Sequence, residues 1–327
     1  MMWVRIYIGS LLFLLVSCGE HEGFRSYSGE AQGTTFSIVY DYQPGDLEDE
    51  IDSLLASMDF HFSTYAEGSM INLVNTADRP VKVDDLFVDL WEKCWDVNIT
   101  TNGYFDPTLG PVLALYDFDD YNDLSVDSAE VEEALKQTGM HLIRIQNHEL
   151  TKKNVNVTLN FNAVAQGYSV DVISEFFERK GIQNYMVEIG GELRVKGAND
   201  KNKPWSIGID KPVQTQSRKL LLKTSLRDRS LATSGNYRKF KKINGMSAGH
   251  ILNPKTGYSE QTNVLSVSVM AGSCYRADAM ATAFMNMQLK DIKTLEQDDP
   301  DLSVIVVYLE ARDTAVYVSP GVDVVYF

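Results

Sequence analysis

What most constrains this chain is the lack of a regular strand–helix alternation. Short β-branched and aromatic runs follow one another, with only a few long amphipathic stretches between them. Residues 34–40 (TTFSIVY) read as a strand, and residues 47–60 set Ile51, Leu54, Leu55 and Met58 at helical spacing. Residues 86–100 repeat that spacing with Leu86, Leu90, Trp91, Cys94 and Val97. Residues 128–138 read as a helix capped by Ser128, with Glu in the first turns. Residues 166–180 form another, stopped by Gly181, and residues 274–287 a further one. Strand patterns fall at 141–145, 156–160, 185–195, 205–210, 230–233, 264–270, 304–308 and 315–318. A doubly wound fold needs strictly repeated βαβ units. This succession predicts instead an α+β domain with largely antiparallel sheet.

The first segment reads as an address. Arg5 precedes an apolar run, residues 6–16, that is too short for a helix to cross about 30 Å of hydrocarbon but suits a signal peptide. The run closes on Leu15-Val16-Ser17-Cys18, which resembles the lipobox of bacterial lipoproteins. Residues 1–17 are therefore expected to be a signal peptide, with Cys18 as the lipidated N-terminus. The alternative is an ordinary secretory signal with an incidental Cys. Residues 18–30 contain Gly and Ser and are expected to be a flexible tether. Residues 31–327 carry no long linker or repeat and read as one domain. The expected location is the periplasmic side of a bacterial envelope, anchored in the membrane by lipid.

Charge narrows the function. Lys plus Arg number 30 against 45 Asp plus Glu, a formal charge of −15. Such a surface argues against nucleic acid and against a basic lipid-binding patch. An anionic ligand would need a metal ion or a local set of donors. Three Cys, none in a CxxC pair, exclude a disulfide framework and a Cys-type zinc site.

Several residues are equipped for chemistry. Asp278 and Thr282 stand at i and i+4 of a helix, so carboxylate and hydroxyl share a face among small Ala neighbours. A charged oxygen beside a neutral one suits a hard cation, although an acid near a helix start is commonly just a cap. His250, in a polar Gly-bearing segment, is the best candidate for proton transfer, although a lone His is commonly structural. Gly-bearing turns at Gln32-Gly33-Thr34, Gly190-Gly191, Ser234-Gly235 and Thr256-Gly257 could bring backbone N–H groups to a ligand. None matches a P-loop or GxGxxG, and no GxSxG elbow is present.

The ordered set of these stretches is more specific than any member. It runs through Gln32-Gly33-Thr34-Thr35, Ser63-Thr64-Tyr65 and Phe105-Asp106-Pro107-Thr108-Leu109-Gly110-Pro111 to Ala165-Gln166-Gly167-Tyr168-Ser169-Val170-Asp171. Glu188-Ile189-Gly190-Gly191-Glu192, Trp205 to Pro212, Ala232 to Tyr237, His250 to Gly257 and Ala277 to Thr282 complete it. Together they resemble the ApbE family of FAD:protein FMN transferases, over some 90% of the chain. The resemblance implies a core related to the tetrahydropterin-type T-fold, with antiparallel sheets, packed helices and a smaller α/β portion. It implies Mg²⁺-dependent cleavage of FAD, transfer of FMN to a Thr or Ser hydroxyl of an acceptor protein, and release of AMP.

By the same resemblance, Asp278, Thr282 and the Ala163 carbonyl fall on metal-ligand positions. Gln32, Tyr65, Tyr104, Phe105, Asp106, Asn160, Gln166 and Leu252 fall on flavin-contacting positions. The implied partners are flavoprotein subunits of membrane redox pumps, or secreted flavoproteins, with an Asp-Gly-x-Ser/Thr-x-Ala-Thr type motif. Asn160 and Ala281 depart from relatives that carry carboxylates there, which predicts weaker or more hydrated Mg²⁺ binding. Two other functions fit the same residues: hydrolysis of FAD to FMN and AMP, and non-enzymatic FAD storage. Storage needs neither a base nor a polarised phosphate, so His250, Asp278 and Thr282 disfavour it.

Overall fold

The computed structural model describes residues 23–41, 45–116, 126–212, 219–235, 240–243, 246–260, 262–311 and 313–327. Cys18 and the expected signal peptide lie outside the described residues. An eight-stranded sheet organises the rest: β1 (Phe24–Ala31), β2 (Thr34–Asp41), β3 (Tyr185–Ile189), β4 (Glu192–Lys196), β5 (Arg229–Gly235), β6 (Val264–Ala271), β7 (Ser303–Glu310) and β8 (Asp313–Val318). Spatial order follows chain order and each neighbouring pair is antiparallel. The other segments are excursions from this meander, and the α+β expectation holds.

The longest excursion, between β2 and β3, carries α1 (Glu48–Phe62), α2 (Met70–Thr76), α3 (Asp85–Thr100), the short α4 (Gly110–Leu113), α5 (Ser128–Leu135) and α6 (Ala165–Arg179). Between β6 and β7 lie α7 (Cys274–Met285) and α8 (Leu289–Asp298). The strands Trp205–Asp210 and Leu220–Leu226 pair with each other, and Val324–Tyr326 completes a small sheet.

Alternation along the strands decides which face each layer covers. On β6, Val267, Val269 and Ala271 point into the core shared with α3, α6 and α7, while Met270 points to the other face. There it meets Trp205, Ile207, Ile209 and Leu222 of the small sheet. On β2, Phe36, Ile38 and Tyr40 pack against Ile51 and Leu55 of α1 and Phe177 of α6. Burying such a side chain fully is worth roughly 1.5–3 kcal/mol.

Four local expectations need correction. Residues 24–30 are not tether but most of β1. Phe24 packs on Trp205, Tyr27 packs on Phe36, and the Tyr27 hydroxyl donates to Asp52 at 2.7 Å. Gly29 is there to make room: a Cβ would sit 2.8 Å from the Phe36 ring. The cap of α5 is Asp127, whose carboxylate accepts from Ala129 N–H at 2.9 Å, while Ser128 is already helical. Residues 141–145 begin in a 3₁₀ turn (Met140–Leu142) before the strand Ile143–Gln146.

Residues 156–160 alternate as a strand does but join no ladder. Besides an isolated bridge between Thr158 and Leu109, the Asn160 N–H donates to the Pro107 carbonyl at 2.7 Å, and side chains hold the rest. Asn75 both donates to the Leu159 carbonyl at 2.8 Å and accepts from its N–H at 2.7 Å.

Candidate active site

A cleft of about 1900 Å³ opens where the start of α6, one face of α7, the β3–β4 turn and the loop after α3 converge. Its lining includes Tyr65, Tyr104, Phe105, Asp106, Asn160, Ala163, Gln166, His250, Leu252, Asp278 and Thr282. Residues separated by more than two hundred positions thus reach one cavity.

The helical spacing of Asp278 and Thr282 is realised on α7. Asp278 is buried, and its Oδ2 accepts the Gly167 N–H at 3.1 Å. That N–H belongs to the first turn of α6, where helix geometry leaves donors without internal partners. The α6 N-cap, Val164, offers no side-chain bond, so Asp278 serves in its place. Burial pushes the Asp278 carboxyl up to about 7, and the Gly167 hydrogen bond only partly opposes this. The Thr282 hydroxyl lies 3.3 Å from that of Ser234 on β5.

Helix α6 approaches this closely because position 167 is Gly. A Cβ there would stand 2.6 Å from the Cys274 carbonyl oxygen and 2.8 Å from Asp278 Cβ. One residue earlier, Gln166 lines the cleft, and its amide lies against Gly190, where the β3–β4 turn has φ of +67°.

The loop after α3 forms another part of the lining. Asn98 Nδ2 donates to the Phe105 carbonyl at 2.6 Å, and Thr101 Oγ1 accepts the Phe105 N–H at 3.2 Å. Asp106 Oδ1 accepts from both the N–H and the hydroxyl of Thr108, at 2.8 and 2.6 Å. Burial nevertheless holds its pKa above the ordinary carboxylate value. The Lys255 ammonium sits 3.9 Å from the centre of the Tyr104 ring, a cation–π contact. Tyr65 is exposed at the mouth.

His250 opens a loop tied down by hydrogen bonds. The Leu252 carbonyl accepts from Asn286 Nδ2 at 3.1 Å, and buried Asn253 accepts from the Lys255 and Gly257 N–H groups. The Leu252 side chain packs with Val131 and Tyr116, leaving little of it for a ligand.

Two expected flavin contacts differ from the rest. Gln32 does not line the cleft: it sits in the β1–β2 turn with φ of +53°, and its Nε2 donates to Ser169 Oγ at 2.6 Å. Thr34 and Thr35 line the cleft instead. Asn160 does line it, but its Oδ1 already accepts the Asn162 N–H at 2.9 Å. Ala281 is fully buried, and its methyl side chain adds no ligand oxygen to the cleft.

Sequence reasoning passed over Lys219 and gave Lys211 no role. Both line the cleft where Lys211 N–H donates to the Lys219 carbonyl at 2.8 Å. Lys211 lies within the Trp205 to Pro212 stretch but was given no role there, and Lys219 lies in no patterned run.

Among the described residues no group of three or more His, Cys, Asp or Glu could hold a metal by itself. The donors at hand are all hard oxygens: the Asp278 carboxylate, the Thr282 hydroxyl and the backbone at Ala163. One carboxylate with neutral oxygens suits Mg²⁺, which keeps waters and shares substrate phosphate oxygens.

Residues 32–306 match the model of the ApbE family. The chain is 34% identical over 286 residues to the FAD:protein FMN transferase of Vibrio cholerae, spanning 84% of this chain and 85% of that one. It is 29% identical over 309 residues to the Haemophilus influenzae protein of the same name, spanning 89% of each. The solved structure of the Vibrio cholerae flavin transferase ApbE matches with a TM-score of 0.81 at 31% identity, covering 91% of this chain and 97% of that one. The apo flavinyl transferase ApbE of Pseudomonas stutzeri matches with a TM-score of 0.80 at 26% identity, covering 91% and 95%.

Proposed function

The chain belongs to the ApbE family and is an FAD:protein FMN transferase, and on that premise we propose that it cleaves the FAD pyrophosphate and esterifies an acceptor Thr or Ser with FMN. The observation that carries this reading is the convergence of Asp278, Thr282, His250 and an aromatic wall on one cleft. An acidic protein would repel a doubly anionic dinucleotide unless that charge were offset locally. Asp278, Thr282 and the Ala163 carbonyl would hold Mg²⁺, which when bound would offset that charge and polarise the phosphate. The single carboxylate predicts binding weaker than in a site holding two.

The remaining work falls to the chain's own groups. Tyr104, Phe105 and Tyr65 offer flat surfaces for ring systems. Asp106, fixed by Thr108, accepts from ring or sugar donors, and Gln166 hydrogen-bonds from the α6 side. His250 takes the proton from the acceptor hydroxyl as that oxygen bonds to the FMN phosphorus. The bond from that phosphorus to the bridging oxygen breaks, and AMP leaves with the electron pair. A positioned base contributes typically 10²–10⁴-fold to such a step.

The lipobox resemblance supports a chain anchored to a membrane through a lipid on Cys18, on the periplasmic side of a bacterial envelope. Acceptors there are flavoproteins carrying the Asp-Gly-x-Ser/Thr-x-Ala-Thr type motif. Offering the protein FAD or FMN as donor, with an acceptor peptide of that motif, tests the reaction. Covalent peptide flavin should form from FAD and not from FMN, which has no pyrophosphate to break. Equal labelling from FMN would overturn the proposed chemistry.

A further inference from the structure

The stretch from Ala165 to Asp171 has so far supplied Gln166 and the Gly167 contact, but its last residue is equally placed to act. Asp171 is buried on α6. Its Oδ1 accepts the Cys274 N–H at 2.9 Å, and its Oδ2 accepts the Tyr275 N–H at 2.8 Å. These are first-turn donors of α7, whose own N-cap, Ser273, makes no side-chain capping bond. One turn away the relation is reversed, because Asp278 of α7 accepts the Gly167 N–H of α6. Positions 167 and 171 thus meet 278 and 274, the pairing of two helices that run in opposite directions. Each helix caps the other.

The two caps differ in charge balance. Arg194 of β4 donates from Nη1 to Asp171 at 2.9 Å and from Nη2 to Glu178 at 3.2 Å. Glu178 in turn accepts the Tyr185 hydroxyl and pairs with Lys196. Asp171 is therefore tied through Arg194 to the central sheet. Asp278 pairs with no Lys or Arg among the described residues, and its helix face opens to the cleft. One cap carries a built-in cation; the other has its opening toward an external one.

We propose that Asp171, held by Arg194, is a positioning residue for the metal-binding face of α7. It fixes where α7 begins along α6, and so presents Asp278 and Thr282 at a set height in the cleft. This rests on the reading of Asp278 and Thr282 as Mg²⁺ ligands.

The test measures metal binding directly, on the full-length protein without FAD, using Mn²⁺ by electron paramagnetic resonance and Mg²⁺ in competition. Asp171→Asn keeps one good acceptor and loses the charge that pairs with Arg194. Arg194→Gln keeps the two helix-capping bonds and removes the tie to the sheet. Each is expected to weaken Mn²⁺ binding at least tenfold, with Arg194→Lys between them and the wild type. Val187→Ala, in the core on β3 and outside the cleft lining, supplies a destabilised control and should bind Mn²⁺ as the wild type does. If Asp171→Asn fails to fold, the Arg194 variants carry the test. Wild-type affinity in the folded variants, or a loss equal to that of Val187→Ala, would overturn the positioning role. A wild-type protein that binds no Mn²⁺ contradicts the metal reading itself, and the proposal with it.

Discussion

Gly167→Ala should separate stability from catalysis. The new Cβ would lie 2.6 Å from the Cys274 oxygen and 2.8 Å from Asp278 Cβ, both on α7. Atoms of this kind rest near 3.5 Å, so the helices must part by about 0.7–0.9 Å. Overpacking of this size costs about 1–3 kcal/mol. Ala regains about 1 kcal/mol of helix propensity over Gly. The net loss of stability should be about 0–2 kcal/mol. At the site, the 3.1 Å bond from Gly167 N–H to Asp278 lengthens past a useful hydrogen bond. A displacement near 1 Å at a reacting centre costs on the order of 10²-fold in rate. Urea unfolding gives the first quantity, and Mg²⁺ titrations of AMP release give the second. A variant with activity within threefold of the wild type and an unchanged Mg²⁺ midpoint would refute the link between this contact and the metal site.

Asp278→Asn should abolish Mg²⁺-dependent turnover while leaving the protein folded; AMP release unchanged at limiting Mg²⁺ would contradict the ligand assignment. With His250 as base, the wild-type rate should show a limb that rises with pH, and His250→Ala should lose that limb with FAD affinity nearly intact. Burial raises the Asp106 pKa in the fold, so as pH rises past about 4 the unfolded chain ionises first and the native state loses stability until the higher folded value is passed. Chemical denaturation from pH 4 to 8 should therefore show the wild type losing stability relative to Asp106→Asn, and a constant difference between them would count against the buried carboxyl. Cys18→Ala should release the protein from membranes on cell fractionation; retention equal to that of the wild type would show that the lipobox reading is wrong.

The parts of the site legible in the sequence are those whose geometry is local. The spacing of Asp278 and Thr282 needs only helical periodicity, and the Gly-bearing turns announce themselves by composition. Contacts between distant elements left no such trace. Gly167 reads as a helix-weakening residue until α7 is seen against it. Gly29 looks like tether until the Phe36 ring is found beneath it. Asp171 ends a motif, yet its partners are backbone N–H groups more than a hundred positions away, which no side-chain pattern encodes. The antiparallel sheet was foreseeable from β-branched runs without a βαβ rhythm. Its order was not, because register depends on which hydrophobic faces meet.

The central claim is that one reaction couples pyrophosphate cleavage to acceptor modification. The direct measurement follows AMP and peptide-bound flavin together, in the presence of FAD and Mg²⁺, with and without an acceptor peptide. The account predicts equal molar amounts of AMP and flavinyl-peptide when the acceptor is present, and little AMP without it. Rapid AMP release that is indifferent to the acceptor, with no flavin on the peptide, would contradict it and make the protein a hydrolase.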